Sequence, residues 1–99
     1  MANYKLTNSS NRDLNEIWEY TLNKWSLTQA DKYYKLLVES FQKLADNPTY
    51  GRSYEVVDAK LMGFKTGRHL IFYEQIDDKT IEISRILHES MDIKNRLKK

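Results

Sequence analysis

The chain has 99 residues, a formal net charge of +2 and no cysteine. Its length fits one domain over residues 1–99, and the lack of cysteine excludes disulfides and thiolate metal sites as sources of stability. The small excess of positive charge argues against a protein whose main task is to grip phosphates, and no apolar run could span a bilayer. Residues 1–8 also lack the features of a secretory signal, so we expect a cytoplasmic protein.

A short strand and a helix are predicted at the start of the chain. Tyr4 and Leu6 alternate with polar residues, which is typical of a strand with one buried face. Ser10 is placed to cap a helix, in which apolar residues recur at three- and four-residue spacing from Leu14 to Trp25. We therefore expect one amphipathic helix after the first strand.

A second helix is predicted to follow after a very short gap. Ser26 and Gln29 have the spacing of a capping box, and an apolar stripe runs from Ala30 to Ala45. Asn47-Pro48 ends this helix, because proline disfavours the helical conformation of the residue before it. Two amphipathic helices so close in sequence should form an antiparallel hairpin.

The second half of the chain changes to a period of two residues. Strands are predicted over 61–66, 69–76 and 80–87, with turns at Gly67 or Arg68 and at residues 77–79. The order is then β-α-α-β-β-β, an α+β fold in which an antiparallel sheet carries a helical hairpin on one face. The other face is expected to be either a partner site or a second small core closed by the 49–60 loop and the tail. The alternation leaves open which residues lie there: Ile71, Tyr73 and Ile86, or Leu70 and Phe72.

Histidine and cationic side chains are the residues that could carry chemistry. His69 and His88 lie at strand ends without metal-ligand spacing, so we expect no metal and no cofactor, and a structural role for both rings. An RNA-cleaving site would need cations over the phosphate and a proton carrier such as one of these histidines. The residues available for it are Arg52, Lys60, Lys65, Arg68, Arg85 and His69.

Arg85 is an anomaly within the last predicted strand. Strict alternation places this charge on the same face as Ile83 and Leu87, where an unpaired guanidinium is costly. Three interpretations remain open: a bulge turns it outward, an acid such as Asp92 pairs with it, or it stands at the edge of a partner surface.

Several motifs along the chain are similar to those of ParE toxins, the poison half of two-protein toxin–antitoxin pairs. The resemblance covers nearly the whole chain and is densest at the end, where Arg85-Ile86-Leu87-His88 precedes Met91-Asp92. Further matching stretches are Asp13-Leu14, Ile17-Trp18-Glu19-Tyr20, Trp25, Gln29-Ala30-Asp31-Lys32-Tyr33, Asn47-Pro48, Gly51-Arg52 and Gly67-Arg68-His69-Leu70-Ile71-Phe72-Tyr73.

This resemblance implies a β-α-α-β-β-β fold shared with RelE ribosome-dependent mRNA endonucleases, and a cognate antitoxin whose C-terminal segment wraps the toxin. It also implies that the toxin inhibits DNA gyrase by protein contact rather than catalysis. The toxin and its neutralising antitoxin are expected to form a hetero-oligomer, and no direct, specific nucleic-acid binding is expected. RelE-like nucleases generally carry more cations and often a terminal tyrosine, whereas no tyrosine follows Tyr73 here. The endonuclease function is therefore the alternative, and a toxin-like protein with another target is a third.

Two sets of candidate contact residues follow from these considerations. The density of motifs at the end of the chain suggests a target-binding surface formed by Arg85, His88, Met91, Asp92 and Arg96. The antitoxin is expected to lay a helix and an extended segment on the toxin, in contact with outward aromatic residues. The candidates for that contact are Tyr20, Tyr34 and Tyr50.

Overall fold

The computed structural model describes residues 2–97, with the backbone alone at Lys94. The elements, in chain order, are β1 (Asn3–Leu6), α1 (Asn8–Lys24), α2 (Leu27–Asp46), a 3₁₀ turn (Pro48–Tyr50), β2 (Arg52–Ser53), β3 (Met62–Thr66), β4 (His69–Asp77), β5 (Thr80–His88) and α3 (Ile93–Leu97). The predicted β-α-α-β-β-β order is confirmed, with a two-residue strand and a five-residue helix added. None of the helices described is long and apolar enough to cross a membrane.

The five strands form one sheet in the order β1-β5-β4-β3-β2. The α+β class is confirmed, but the sheet is mixed rather than wholly antiparallel, since β1 runs parallel to β5. The physical reason is the connection: β3, β4 and β5 are joined by tight turns, which force antiparallel pairing. The helical hairpin that follows β1 imposes no such constraint, which allows β1 to pair in the parallel sense.

The start of α1 differs from the prediction. Thr7, not Ser10, is the N-cap, and its hydroxyl accepts a hydrogen bond from the Ser10 backbone N–H. Ser10 lies one turn inside the helix, where its buried hydroxyl donates to the carbonyl of Ile83 in β5 at 2.7 Å. The tertiary contact thus overrides the local capping preference. The predicted cap of α2 is confirmed, with the Ser26 hydroxyl accepting from the Gln29 N–H.

The main core lies between the helical hairpin and one face of the sheet. Its helical side contains Leu37, Phe41 and Leu44, which are fully buried. Its sheet side contains Ile71, Tyr73, Ile81, Ile83 and Ile86. Burial of large aliphatic and aromatic side chains of this kind stabilises the fold by about 1.5–3 kcal/mol for each side chain.

A second, smaller core lies on the opposite face of the sheet. Phe72, Leu87 and Leu61 are buried there, and partly buried residues of the 54–61 loop and of α3 cover them: Tyr54, Val57, Ile93 and Leu97. This agrees with the interpretation in which the loop and the tail close the far face. Of the two sets left open by the alternation, Leu70 and Phe72 lie on the far face.

A bulge in β5 explains why Arg85 does not share a face with Ile83. Phe72 pairs with Arg85, whereas Tyr73 pairs with Ile83, so Ser84 is an extra residue in β5. The Ser84 hydroxyl donates to the Phe72 carbonyl at 3.1 Å. An extra residue inverts the alternation of side chains between the two faces of the sheet. Arg85 therefore does not lie on the face that Ile83 occupies.

The N-terminal turns of α1 cover the part of β5 that β1 leaves free. The pairing of β1 ends at Leu6, opposite Ile83. Beyond it, the Asp13 carboxylate accepts hydrogen bonds from the Ile86 backbone N–H at 3.0 Å and from the Arg85 Nε and Nη2 at 2.8 and 3.0 Å. The acid that pairs with Arg85 is therefore Asp13, not Asp92, because α1 lies along this edge of β5.

Replacing Asp13 by Ala should lower the free energy of unfolding by about 2–3 kcal/mol, since it leaves the Ile86 N–H and the Arg85 guanidinium without their partner. Urea titration of the variant would measure this loss. Asp78→Ala, in the exposed turn after β4, is the matched control and should change stability by no more than about 0.5 kcal/mol. Equal effects of the two substitutions would contradict the role given to Asp13.

Candidate functional site

The two histidines come together where β4 begins and β5 ends. His69 and His88 are direct cross-strand partners. Their rings meet edge to face, with centroids 5.2 Å apart and an interplanar angle of 88°. This contact brings the two titratable rings together at one end of the sheet.

His69 is held by a tyrosine of the helical layer. Its Nδ1 lies 2.6 Å from the Tyr33 hydroxyl, which also accepts a hydrogen bond from the Arg68 backbone N–H at 3.0 Å. Burial lowers the pKa of His69 from 6.5 to about 4, and the neighbouring His88 adds to the shift. His69 is therefore neutral at pH 7, and it is poorly suited to carry a proton at that pH.

His88 is held by the turn that follows β5. Its Nδ1 accepts a hydrogen bond from the Ser90 backbone N–H at 3.1 Å and lies 2.7 Å from the Ser90 hydroxyl. An Nδ1 that accepts from a backbone N–H places the proton of the neutral ring on Nε2. The bonds of both rings agree with the structural interpretation, and their partners are Tyr33 and Ser90.

Glu89 binds the two cations of the β3–β4 hairpin. Its carboxylate lies 2.9 Å from the Lys65 Nζ and 3.7 Å from an Arg68 guanidinium nitrogen. Its backbone N–H donates to the Arg68 carbonyl at 2.9 Å, which extends the contact between β5 and the hairpin by one residue. Gly67, with φ of 58°, supplies the left-handed conformation that this tight turn requires.

The predicted target-binding residues lie in three different places. Arg85 and Arg96 line one groove of about 810 Å³ on the far face of the sheet, together with Val56 of the loop. His88 lies instead against His69. Met91 and Asp92 are exposed in the turn before α3, where Asp92 accepts hydrogen bonds from Asn95.

The three predicted antitoxin-binding tyrosines are exposed but lie on different elements. Tyr20 is on α1, Tyr34 on α2 and Tyr50 in the 3₁₀ turn. The ammonium of Lys43 lies over the Tyr50 ring, 5.0 Å from its centroid. Two more exposed apolar residues, Trp25 and Leu27, lie at the turn between the helices, beyond Tyr20.

The residues proposed for an RNA-cleaving site are brought together only in part. Lys65, Arg68 and His69 share one end of the sheet, as described above. Lys60 precedes β3, whereas Lys65 lies near the end of that strand, and Arg52 lies in the edge strand opposite Gly63. Arg85 has two of its nitrogens bound to Asp13. No group of three or more metal-ligating side chains occurs among residues 2–97 as far as they are described.

Three residues that shape this site were not recognised from the sequence. Asp13 and Tyr33 lie in the two predicted helices, where nothing local indicates the contact of Asp13 with β5 or of Tyr33 with His69. Glu89 was not predicted to have a role. Its position directly after the last strand, opposite the hairpin turn, is the signal that could have identified it, because antiparallel pairing places residues 68 and 89 next to each other.

The low pKa of His69 predicts a pH-dependent stability. Between pH about 6.5 and about 4, the unfolded chain binds a proton at this histidine and the folded chain does not, so acidification should lower the free energy of unfolding across this window. His69→Gln cannot titrate, and its stability should therefore decline less from pH 7 to pH 4. Urea titrations at several pH values would measure both profiles; parallel profiles would contradict the burial of a neutral His69.

Comparison with known proteins places this chain in a family. A family model described as the ParE toxin of the type II toxin–antitoxin system parDE matches residues 4–93. "Toxin ParE1" of Mycobacterium tuberculosis strain CDC 1551 / Oshkosh is 30% identical over 96 residues, covering 97% of this chain and 98% of that protein. "Toxin ParE1" of Caulobacter vibrioides is 31% identical over 97 residues, covering 98% and 99%.

The fold has a solved counterpart. A chain in the structure titled "Chromosomal ParDE TA system from P. aeruginosa" superposes with a TM-score of 0.72 at 19% identity, covering 89% of this chain and 96% of that one. This likeness supports the fold, and the match of the family model over 4–93 supports the membership. The chain therefore belongs to the ParE toxin family of type II toxin–antitoxin systems.

Proposed function

We propose that this toxin inhibits DNA gyrase by protein–protein contact at the end of the sheet where β5 ends. We also propose that a cognate antitoxin neutralises it by forming a hetero-oligomer with it. The resemblance to ParE toxins implies the target and the antitoxin. The choice of surface is based on the side-chain bonds that fix the end of the last strand. Arg85 is held by Asp13 and His88 by Ser90. Met91 and Asp92 are exposed in the turn that follows, and Arg96 is exposed at the groove that Arg85 also lines.

The internal bonding at this end favours docking over catalysis. A ribonuclease needs a cation that is free to reach the phosphate and a proton carrier whose pKa is near the working pH. Here Lys65 and Arg68 both lie against Glu89, and the pKa of His69 is about 4. These side chains stabilise one another, which suits a preformed protein-binding surface.

Gyrase inhibition is tested with purified toxin in a supercoiling assay on relaxed plasmid. We expect the toxin to block supercoiling while messenger RNA on translating ribosomes remains intact. Met91→Asp should weaken inhibition about tenfold, because an exposed apolar side chain in a contact surface is replaced by a charge that must be desolvated. Ile76→Asp is the matched control, since Ile76 is similarly exposed near the opposite end of β4.

Two outcomes of that assay would contradict the proposal. Unaffected supercoiling at saturating toxin would exclude gyrase as the target. Equal loss of inhibition in Met91→Asp and Ile76→Asp would exclude the chosen surface. Cuts in ribosome-bound messenger RNA, abolished by Arg68→Gln, would establish the endonuclease function instead.

Antitoxin binding is tested separately at the exposed tyrosines. We expect Asp in place of Tyr20, Tyr34 or Tyr50 to weaken binding of the cognate antitoxin about tenfold or more, since an aromatic anchor is lost. Calorimetric titration measures the affinity. The matched Tyr→Phe variants should bind nearly as wild type, and thermal melting should show that all variants fold. An unchanged affinity would exclude that tyrosine from the interface.

A further inference from the structure

Two cations of the β3–β4 hairpin lie next to one carboxylate, that of Glu89, which follows β5. Lys65 lies near the end of β3 and Arg68 in the turn, and both side chains are well exposed, at 60% and 78%. A lysine and an arginine so close together are groups that bind a phosphate oxyanion.

Glu89 occupies the position that such an anion would take. Its carboxylate contacts both cations, at 2.9 Å and 3.7 Å. The pKa of Glu89 is lowered, chiefly by the hydrogen bond from Lys65, so the carboxylate is ionised at neutral pH. Its backbone N–H is bound to the Arg68 carbonyl, which keeps the carboxylate next to the cations. An anion from solution must compete with a tethered one, whose effective concentration is high.

We propose that Glu89 masks a phosphate-binding site formed by Lys65 and Arg68, and thereby prevents this end of the sheet from binding the backbone of a nucleic acid. Two cations and one carboxylate leave a net charge of +1, whereas the two cations alone would carry +2. Glu89 also repels a phosphate that approaches the same donors. The inference rests on the proposed docking function, because a surface that must bind a protein gains specificity when it rejects nucleic acid.

Removal of the carboxylate should expose the site. The probe is a labelled single-stranded RNA of about twelve nucleotides, titrated with toxin by fluorescence anisotropy at about 50 and 200 mM salt. We expect Glu89→Gln to bind this RNA about tenfold more tightly than wild type at the lower salt concentration. The slope of log K against log salt should steepen by about 1.4, as expected when two cations each become free to neutralise a phosphate of a single strand.

A matched control separates the site from overall charge. Glu19→Gln makes the same change in net charge at an exposed position of α1, and it should leave RNA affinity within about twofold of wild type. The double variants Lys65→Gln/Glu89→Gln and Arg68→Gln/Glu89→Gln should lose most of the gain. Glu89→Ser provides a second way to remove the carboxylate, and thermal melting checks that each variant folds.

The inference is overturned if Glu89→Gln and Glu89→Ser bind RNA no better than wild type, or if Glu19→Gln gains as much as they do. It is also overturned if the wild-type protein already binds RNA with the steep salt dependence expected of two free cations. These results are independent of the supercoiling assay, which tests gyrase inhibition by the wild-type toxin alone. A result that contradicts the masking role of Glu89 can thus be distinguished from one that contradicts the proposed function.

Discussion

The bond between the Asp13 carboxylate and the Arg85-Ile86 segment is the interaction on which the course of the last strand depends. It joins α1 to the part of β5 that has no neighbouring strand, at a backbone N–H that would otherwise lack a partner. It also neutralises a guanidinium that the bulge at Ser84 has turned away from the main core. The direction in which β5 continues toward His88 and the tail is thereby fixed relative to the helices.

The two cores are linked through the central strand, β4. Phe72 and Tyr73 are adjacent and both fully buried, one in each core. The Tyr73 hydroxyl donates to the Pro48 carbonyl at 2.6 Å and accepts from the Gly51 N–H at 2.9 Å, so it also fixes the chain that leaves α2. A mutation in β4 therefore affects both faces of the sheet.

The parts of the fold that follow from local patterns could be predicted from the sequence. The helices, the three long strands and the cap at Ser26 each depend on neighbouring residues, and the structure agrees with them. The features that were missed depend on long-range contacts. Ser10 has the residue type of a cap, and nothing local shows that its hydroxyl donates to a carbonyl of β5. Asp92 is near Arg85 in sequence and is therefore the partner that local reasoning predicts, whereas the actual partner, Asp13, is 72 positions away. The same limit explains why the predicted site residues Lys60 and Arg52 do not join Lys65, and why Glu89 was overlooked.

The parallel pairing of β1 with β5 has a consequence for how the toxin is made. Translation delivers β1 first, yet its only neighbour in the sheet is the final strand, nearly eighty residues later by the register of Asn3 with Thr80. The nascent polypeptide can form its helical hairpin early, but the sheet stays incomplete until β5 has left the ribosome. A product interrupted before β5 therefore leaves β1 without a strand to pair with, and leaves the helical hairpin with only part of the sheet face that it covers.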